Sequence, residues 1–538
     1  MKKPHLLVIL FSLLFISACR SEEPTSVTAV PSSTPPPAAT PSPFVISTVD
    51  ATTQERTAKT PTISETPSLP QPTLIDTSWD DLELFRSGLI ESEWGVLDEI
   101  TGATIYHLVL QIEDPTTFSG QMEMRYSNQE TTDLDDLYFH LFPNQLGGSI
   151  TVSGVSVNGQ PTEPVHEATA LRVPLSSPLS PGEEVIVTMD FITTVPQEES
   201  TKYNILAFDE DILALAHFYP MIAAFDDDGW HIEPSPPHGD ETYADMSYYI
   251  VQVTAPDKQI ITASGVEVGH SEADGTQTVV MAAGPVRDFY LVMSDRFGVV
   301  STDVGPVKIN SYAPEEFLDG AELVLDVTAQ ALRSFNERFG PYPYSELDIV
   351  STPTLALGIE YPGIFANALR IYDLDQASSS GLPNPIALEA TTAHEAGHQW
   401  FYNLVGNDQL NEPWLDEALT QYATWTYFID RYGKQNAQGF YDSLEERWSR
   451  NDFAEIPVGL PASAYSGADY GAIIYGRGPI FLNELAGKMG QKTFDLFMRD
   501  YVETFRWQIA TTKEFQALAE VHCNCDLSSL FNEWVYDQ

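Results

Sequence analysis

The spacing of apolar residues changes several times along the chain, and the changes mark its divisions. A mostly apolar run from Leu6 to Ala18 follows Lys2 and Lys3 and leads into Cys19. It falls short of the roughly 20 residues a spanning helix needs, and its order of basic, apolar and small residues is that of an export signal. No later stretch approaches spanning length. Between Ser21 and Ile75 the pattern vanishes: 11 Pro, 8 Ser and 12 Thr occupy 55 residues. Residues 19–75 therefore read as a linker, either a semi-extended stalk at about 3 Å per residue or plain unstructured chain. Ser78, with Asp81 three positions on, resembles a helix cap, so 76–100 reads as a leading helix.

Period two then takes over. Tyr106, Leu108, Leu110 and Ile112 alternate with His107 and Gln111, Met122, Met124 and Tyr126 with Gln121, Glu123 and Arg125, and Val185, Val187, Met189 and Phe191 with Thr188 and Asp190. Further strands are expected at Tyr248–Thr254, Thr278–Met281, Phe289–Met293 and Val307–Tyr312. Residues 101–313 thus predict an antiparallel β domain, a saddle or sandwich. From Glu315 to Phe339 apolar positions recur at helical spacing and stop at Gly340-Pro341. Short strands are expected at Asp348–Val350 and Ala368–Ile371, and beyond Ile386 the pattern is almost wholly helical. The class is multidomain α+β, with residues 314–538 forming the second, mostly helical body.

Length and composition refine this picture. With 538 residues, 43% of them hydrophobic, the chain can fill more than one core. The balance of 26 basic against 77 acidic residues repels phosphate backbones, so nucleic acid is not an expected partner, while cations and amines are attracted. Three cysteines cannot form a disulfide framework. Cys523 and Cys525, beside His522, leave a local disulfide, two free thiols or a small metal site open.

The chemistry concentrates at His394-Glu395-Ala396-Gly397-His398. Residues four apart share a helix face, so both imidazoles can meet one Zn²⁺, and Glu395 can act as a base without being a ligand. Catalytic zinc takes a third protein ligand. With the first helix ending near Gly406 and a second starting near Asn411–Trp414, Glu417 lies 19 residues after His398 and can supply it.

The stretch from His394 to Val405 resembles the zinc helix of the aminopeptidase N family of gluzincins, which includes leukotriene hydrolase. Trp414-Leu415-Asp416-Glu417-Ala418 resembles that family's W-L-N-E-G/A segment. Tyr106 to Asn144, Gly229-Trp230, Gly239-Asp240 and Gly265 also look like simpler bacterial members. The resemblance implies a thermolysin-like zinc peptidase domain over 314–538 with His394, His398 and Glu417 as ligands to one Zn²⁺. Leu357-Gly358-Ile359-Glu360-Tyr361 is similar to the family's G-x-M-E-N segment. This implies substrate contacts at Gly358 and Glu360, the carboxylate gripping a free α-amine. Leu, Ile and Tyr replace the family's Gly, Met and Asn, which bears on amine selectivity. Tyr475-Gly476-Arg477-Gly478 is similar to Y-x-K-G and implies that Tyr475 steadies an oxyanion, with Tyr470 left to packing. The activity so implied is removal of N-terminal residues from peptides with free N-termini. A zinc endopeptidase, an ester hydrolase or a non-catalytic peptide-binding lipoprotein are the alternatives.

Ile16-Ser17-Ala18-Cys19 resembles a bacterial lipoprotein box. It implies a signal peptide over 1–18, lipidation of Cys19 and an extracytoplasmic protein tethered to the cell-envelope membrane. An ordinary cleaved signal or an uncleaved anchor would also mean export.

Overall fold

Alternating strands build the first body, as the period predicts, around an eight-stranded sheet. Its centre is Thr104–Asp114, flanked by Thr117–Ser127 in antiparallel register and by Ser247–Pro256 in parallel register. The register places Tyr106 opposite Tyr249, and the two rings stack at 4.7 Å. Glu184–Thr194 and Ser149–Val157 continue the sheet on one side, Thr276–Val286 and Val266–Ala273 on the other. Two four-stranded sheets complete this body. The computed structural model describes residues 69–167, 169–197, 202–378 and 381–537, all within the unit Pro67–Gln538. The expected export signal, Cys19 and the expected linker as far as residue 68 lie outside the described residues. No described helix is long and apolar enough to cross a membrane.

Strict alternation predicts one wet face on the central strands, yet His107, Glu123 and Arg125 are buried. The cause is the preceding segment, which packs over that face. Trp79 stacks on His107 at 4.4 Å, the backbone N–H groups of Thr73 and Leu74 donate to Glu123, and Arg125 pairs with Asp80 at 2.8 Å. The end of the expected linker, residues 69–75, is thus part of the folded body. The expected leading helix over 76–100 is not continuous either. It breaks into two 3₁₀ turns, Glu83–Gly88 and Glu91–Glu93, and one α-turn, Val96–Glu99. Tertiary contacts made by each piece replace the intrahelical ladder: Leu89 bridges to Tyr344, and Ile90 N–H donates to Pro343 O.

Burial holds His140 at a pKa of about 4, below its ordinary 6.5. A depressed histidine stabilises the fold above pH 6.5 and loses that contribution as pH falls toward 4, because the unfolded chain takes up the proton first. The stability gap between wild type and His140→Gln should therefore move by about 3 kcal/mol in favour of the variant from pH 7 to pH 4. Urea midpoints of both proteins across that range measure it.

The second body begins earlier than residue 314. Phe297–Val304 and Val307–Pro314 form a hairpin, and Val307–Pro314 pairs in parallel with Glu346–Thr352. Strands expected in the first domain therefore belong to a five-stranded sheet that continues through Ile364–Ala368 to the edge strand Gly358–Tyr361. A parallel partner far along the chain cannot be read from local alternation. The expected strand at Ala368–Ile371 ends at Ala368 and becomes a 3₁₀ turn. The helix Leu318–Phe339 packs on this sheet and stops at Gly340, whose φ of +112° suits only glycine. Eight further α-helices lie among the described residues from Asn384 to Trp534.

The two bodies meet at Arg287. Its guanidinium donates to the carbonyls of Tyr402, Asn403, Ala244 and Gln508 at 2.7–3.0 Å. A Cβ on Gly406 would lie 2.2 Å from Arg287 Cζ. Gly406 is thus not the end of the first zinc-motif helix, which closes at Gly397. Gly406 leaves room for the guanidinium that holds the following turn.

Candidate metal centre

Two helices and a turn converge on one point. The first helix, Asn384–Gly397, starts with Pro385 in its first turn and presents His394 and His398 on one face, His398 capping its end. The second, Trp414–Tyr432, follows Pro413 and carries Glu417 in its first turn. Their ligand atoms crowd together. His394 Nε2 lies 3.1 Å from His398 Nε2 and 3.1 Å from Glu417 Oε2, and His398 Nε2 lies 3.6 Å from Glu417 Oε2.

A single cation fits this arrangement. Tetrahedral ligands at 2.0–2.1 Å stand roughly 3.3 Å apart, close to the observed spacings. The tautomers agree as well. His398 Nδ1 lies 2.6 Å from Asp416 Oδ1, so its N–H points there and the Nε2 lone pair faces the shared point. His394 Nδ1 has no partner. Burial pulls His394 down to about 4, keeping it neutral and able to donate a lone pair. Burial also opposes charge on His398, but the carboxylates of Glu360, Asp416 and Glu417 outweigh it and raise its pKa.

Glu395 points from the same helix toward the edge strand Gly358–Tyr361. A Cβ at Gly358 would lie 2.2 Å from Glu395 Oε1, so the strand passes directly over this carboxylate. Its other oxygen, Oε2, is buried without a partner. Burial raises Glu395 to about 8. Tyr475 approaches from the opposite side, its hydroxyl donating to Glu417 Oε1. It sits in a π-turn, Ile473–Arg477, a distortion common at functional sites. The turn is pinned on both sides. A Cβ on Gly476 would lie 2.7 Å from Trp448 N, one on Gly478 would lie 2.6 Å from Ala418 Cβ, and Arg477 donates to three carbonyls between the Trp448 and Trp534 rings. Burial holds the Tyr475 phenol well above its ordinary pKa, so it stays a donor.

Glu360 lies on the edge strand, buried, and its carboxylate gathers with Asp416 near His398. Gln409 connects it to the metal helix. The Gln409 amide donates to Glu360 Oε1 at 3.3 Å and Asp416 Oδ2 at 2.5 Å, and its carbonyl accepts from Thr242 N and Oγ1 of the β body. All the residues the sequence singled out within the second body, Gly358, Glu360, His394, Glu395, His398, Glu417 and Tyr475, therefore surround one site. Tyr470 is buried behind Gly239. Cys523 and Cys525 form a disulfide, which resolves the three options for that pair.

Sequence reading missed Asp416, Gln409 and Thr242. Asp416 had a signal, since it stands where the similar family segment has Asn. Gln409 and Thr242 had none, because their role comes from where two loops cross.

The fold is thus a saddle of strands followed by a helical body with a paired-histidine helix. Residues 323–534 match the peptidase family M1 domain, and the chain carries that domain. Among curated relatives, aminopeptidase M1 of Arabidopsis thaliana is 24% identical over 297 residues, 51% of this chain and 32% of the relative. Endoplasmic reticulum aminopeptidase 1 of Mus musculus is 23% identical over 367 residues, 64% and 37% of the two chains. The chain spans about a third of the length of these relatives. Among solved structures, the M1 zinc metallopeptidase of Deinococcus radiodurans shares the fold with a TM-score of 0.61 at 20% identity, over 81% of this chain and 93% of that one.

Proposed function

We propose that the protein is a zinc-dependent aminopeptidase that removes N-terminal residues from short peptides outside the cytoplasm, anchored through lipid on Cys19. The observation that carries the activity is the convergence of His394, His398 and Glu417 on one point, with Glu395 Oε2 unpartnered beside it. The M1 domain and the names of the relatives support the same reading.

Zinc held by His394, His398 and Glu417 would supply Lewis acidity and lower the pKa of a water. Glu395 accepts the proton of the attacking water and passes it to the leaving amine. Tyr475 turns its hydroxyl from Glu417 to the oxygen that gains charge. Glu360 pairs with the peptide's α-ammonium, which an internal peptide nitrogen cannot replace. Asp416 and Gln409 hold His398 and Glu360 in place.

Blocking the amine tests this reading. The zinc-loaded protein should hydrolyse leucyl anilide and leave its N-acetyl counterpart at least ~100-fold slower. Equal turnover of the two would instead favour the endopeptidase or esterase alternative. Tyr475→Phe should lower kcat by about 10²- to 10³-fold with zinc content unchanged, as for loss of one oxyanion donor. For the anchor, labelled lipid should appear on the wild-type protein and be lost in Cys19→Ala; its persistence in the variant would remove that assignment.

A further inference from the structure

Most buried or half-buried arginines of this chain are spent on protein partners: Arg287 on four carbonyls, Arg477 on three carbonyls and two indoles. Arg447 is not. It is half-buried on the helix Gln438–Ser449, and its guanidinium makes no hydrogen bond or ion pair among the described residues. Its neighbours Glu446 and Arg450 pair with each other at 3.7 Å on the exposed side. The helix face bearing Leu444, Arg447 and Trp448 packs against the π-turn of Tyr475: a Cβ on Gly476 would lie 3.2 Å from Arg447 Cβ. Gly476 follows Tyr475, whose hydroxyl meets Glu417, so Arg447 borders the Tyr475 side of the metal centre. Burial lowers its pKa, the mark of a cation partly stripped of water. A charge so placed costs free energy unless something pairs with it, and among the described residues no side chain forms a hydrogen bond or ion pair with it.

The position relative to Glu360 gives direction. Glu360 is joined to Asp416, the partner of His398, through Gln409, whereas Arg447 packs under the turn that carries Tyr475. A peptide whose amine rests on Glu360 crosses the metal centre and carries its leaving portion toward Arg447. We propose that Arg447 binds a carboxylate on that leaving portion, either the C-terminal carboxylate of a dipeptide or tripeptide or an acidic side chain after the scissile bond. This rests on the aminopeptidase reading and narrows its substrate class to short or acidic-tailed peptides. Arginine suits the task because its planar fork meets a carboxylate with two parallel donors.

Matched substrates test it on the full, zinc-loaded chain. Leu-Ala as the free acid is compared with Leu-alaninamide, Leu-Asp-amide with Leu-Asn-amide, and leucyl anilide serves as an uncharged reference. At least one carboxylate-bearing member should be favoured by about 10- to 100-fold in kcat/KM, mainly through KM, as expected for a charged hydrogen-bonded pair. The acid–amide pair identifies the C-terminus as the source and the Asp–Asn pair the side chain. In Arg447→Met the favoured ratio should fall to near one. Wild-type ratios near one in both pairs, with the anilide still cleaved, would overturn the Arg447 assignment alone, as would a ratio that survives in Arg447→Met. If the anilide is not cleaved at all, the aminopeptidase reading fails and this inference with it.

Discussion

Replacing Glu395 with glutamine is expected to lower kcat by about 10²- to 10⁴-fold, the usual contribution of a positioned general acid–base group, without releasing zinc. Glutamine keeps the size and shape of the side chain under the edge strand, where Gly358 leaves room for it. It cannot take the proton of the attacking water. Because Glu395 Oε2 has no partner and the three clustered ligand atoms come from other residues, the metal content should stay at one per chain. Metal analysis and single-turnover rates on the same preparation check both halves. Turnover within a few-fold of wild type would show that another group handles the proton. Loss of zinc would show that Glu395 belongs to the ligand set.

The second large effect concerns the metal itself. Chelation should abolish hydrolysis, and one equivalent of zinc should restore it. Glu417→Ala should lose at least ~10³-fold in kcat/KM, since several kcal/mol of charge stabilisation depend on a retained ion. Its melting temperature should respond far less to added zinc than that of wild type, because only binding to the folded state stabilises it. The crowding of His394, His398 and Glu417 within 3.1–3.6 Å predicts this, because three ligand atoms meet at one point that a single cation can fill. Asp416→Asn keeps the acceptor for His398 Nδ1 but removes its charge, and zinc affinity should fall by about 10- to 100-fold in a chelator competition. A wild type active after exhaustive chelation would remove zinc from the mechanism.

How far the sequence led depends on which interactions are local. His394 and His398 are one helical turn apart, so their shared face follows from spacing alone. Glu417 could be added because a helix hairpin of that length returns to the same place. The strands around Tyr106, Met124 and Val187 were equally legible, since burying one face of a sheet enforces period two. The misplaced features were long-range. The 76–100 segment carries a helical start signal but spends its apolar residues on contacts with distant chain. The Val307–Pro314 strand takes a parallel partner in the second body, and the expected helix end at Gly406 yielded to the passage of Arg287.

Periodicity and motif spacing by themselves determined the order of two bodies and which side chains are candidates for one site, the pair His394 and His398 with Glu395 and Glu417, because each depends on hydrogen-bonded neighbours a few residues away or on one short hairpin. Only the folded chain decided the rest: that Gln409 and Thr242 join the β body to Asp416 and Glu360, that Tyr475 sits in a π-turn, and that Arg447 packs against that turn. Those arrangements arise where segments remote in sequence are pressed together, and the free energy that fixes them is packing, which no local pattern records.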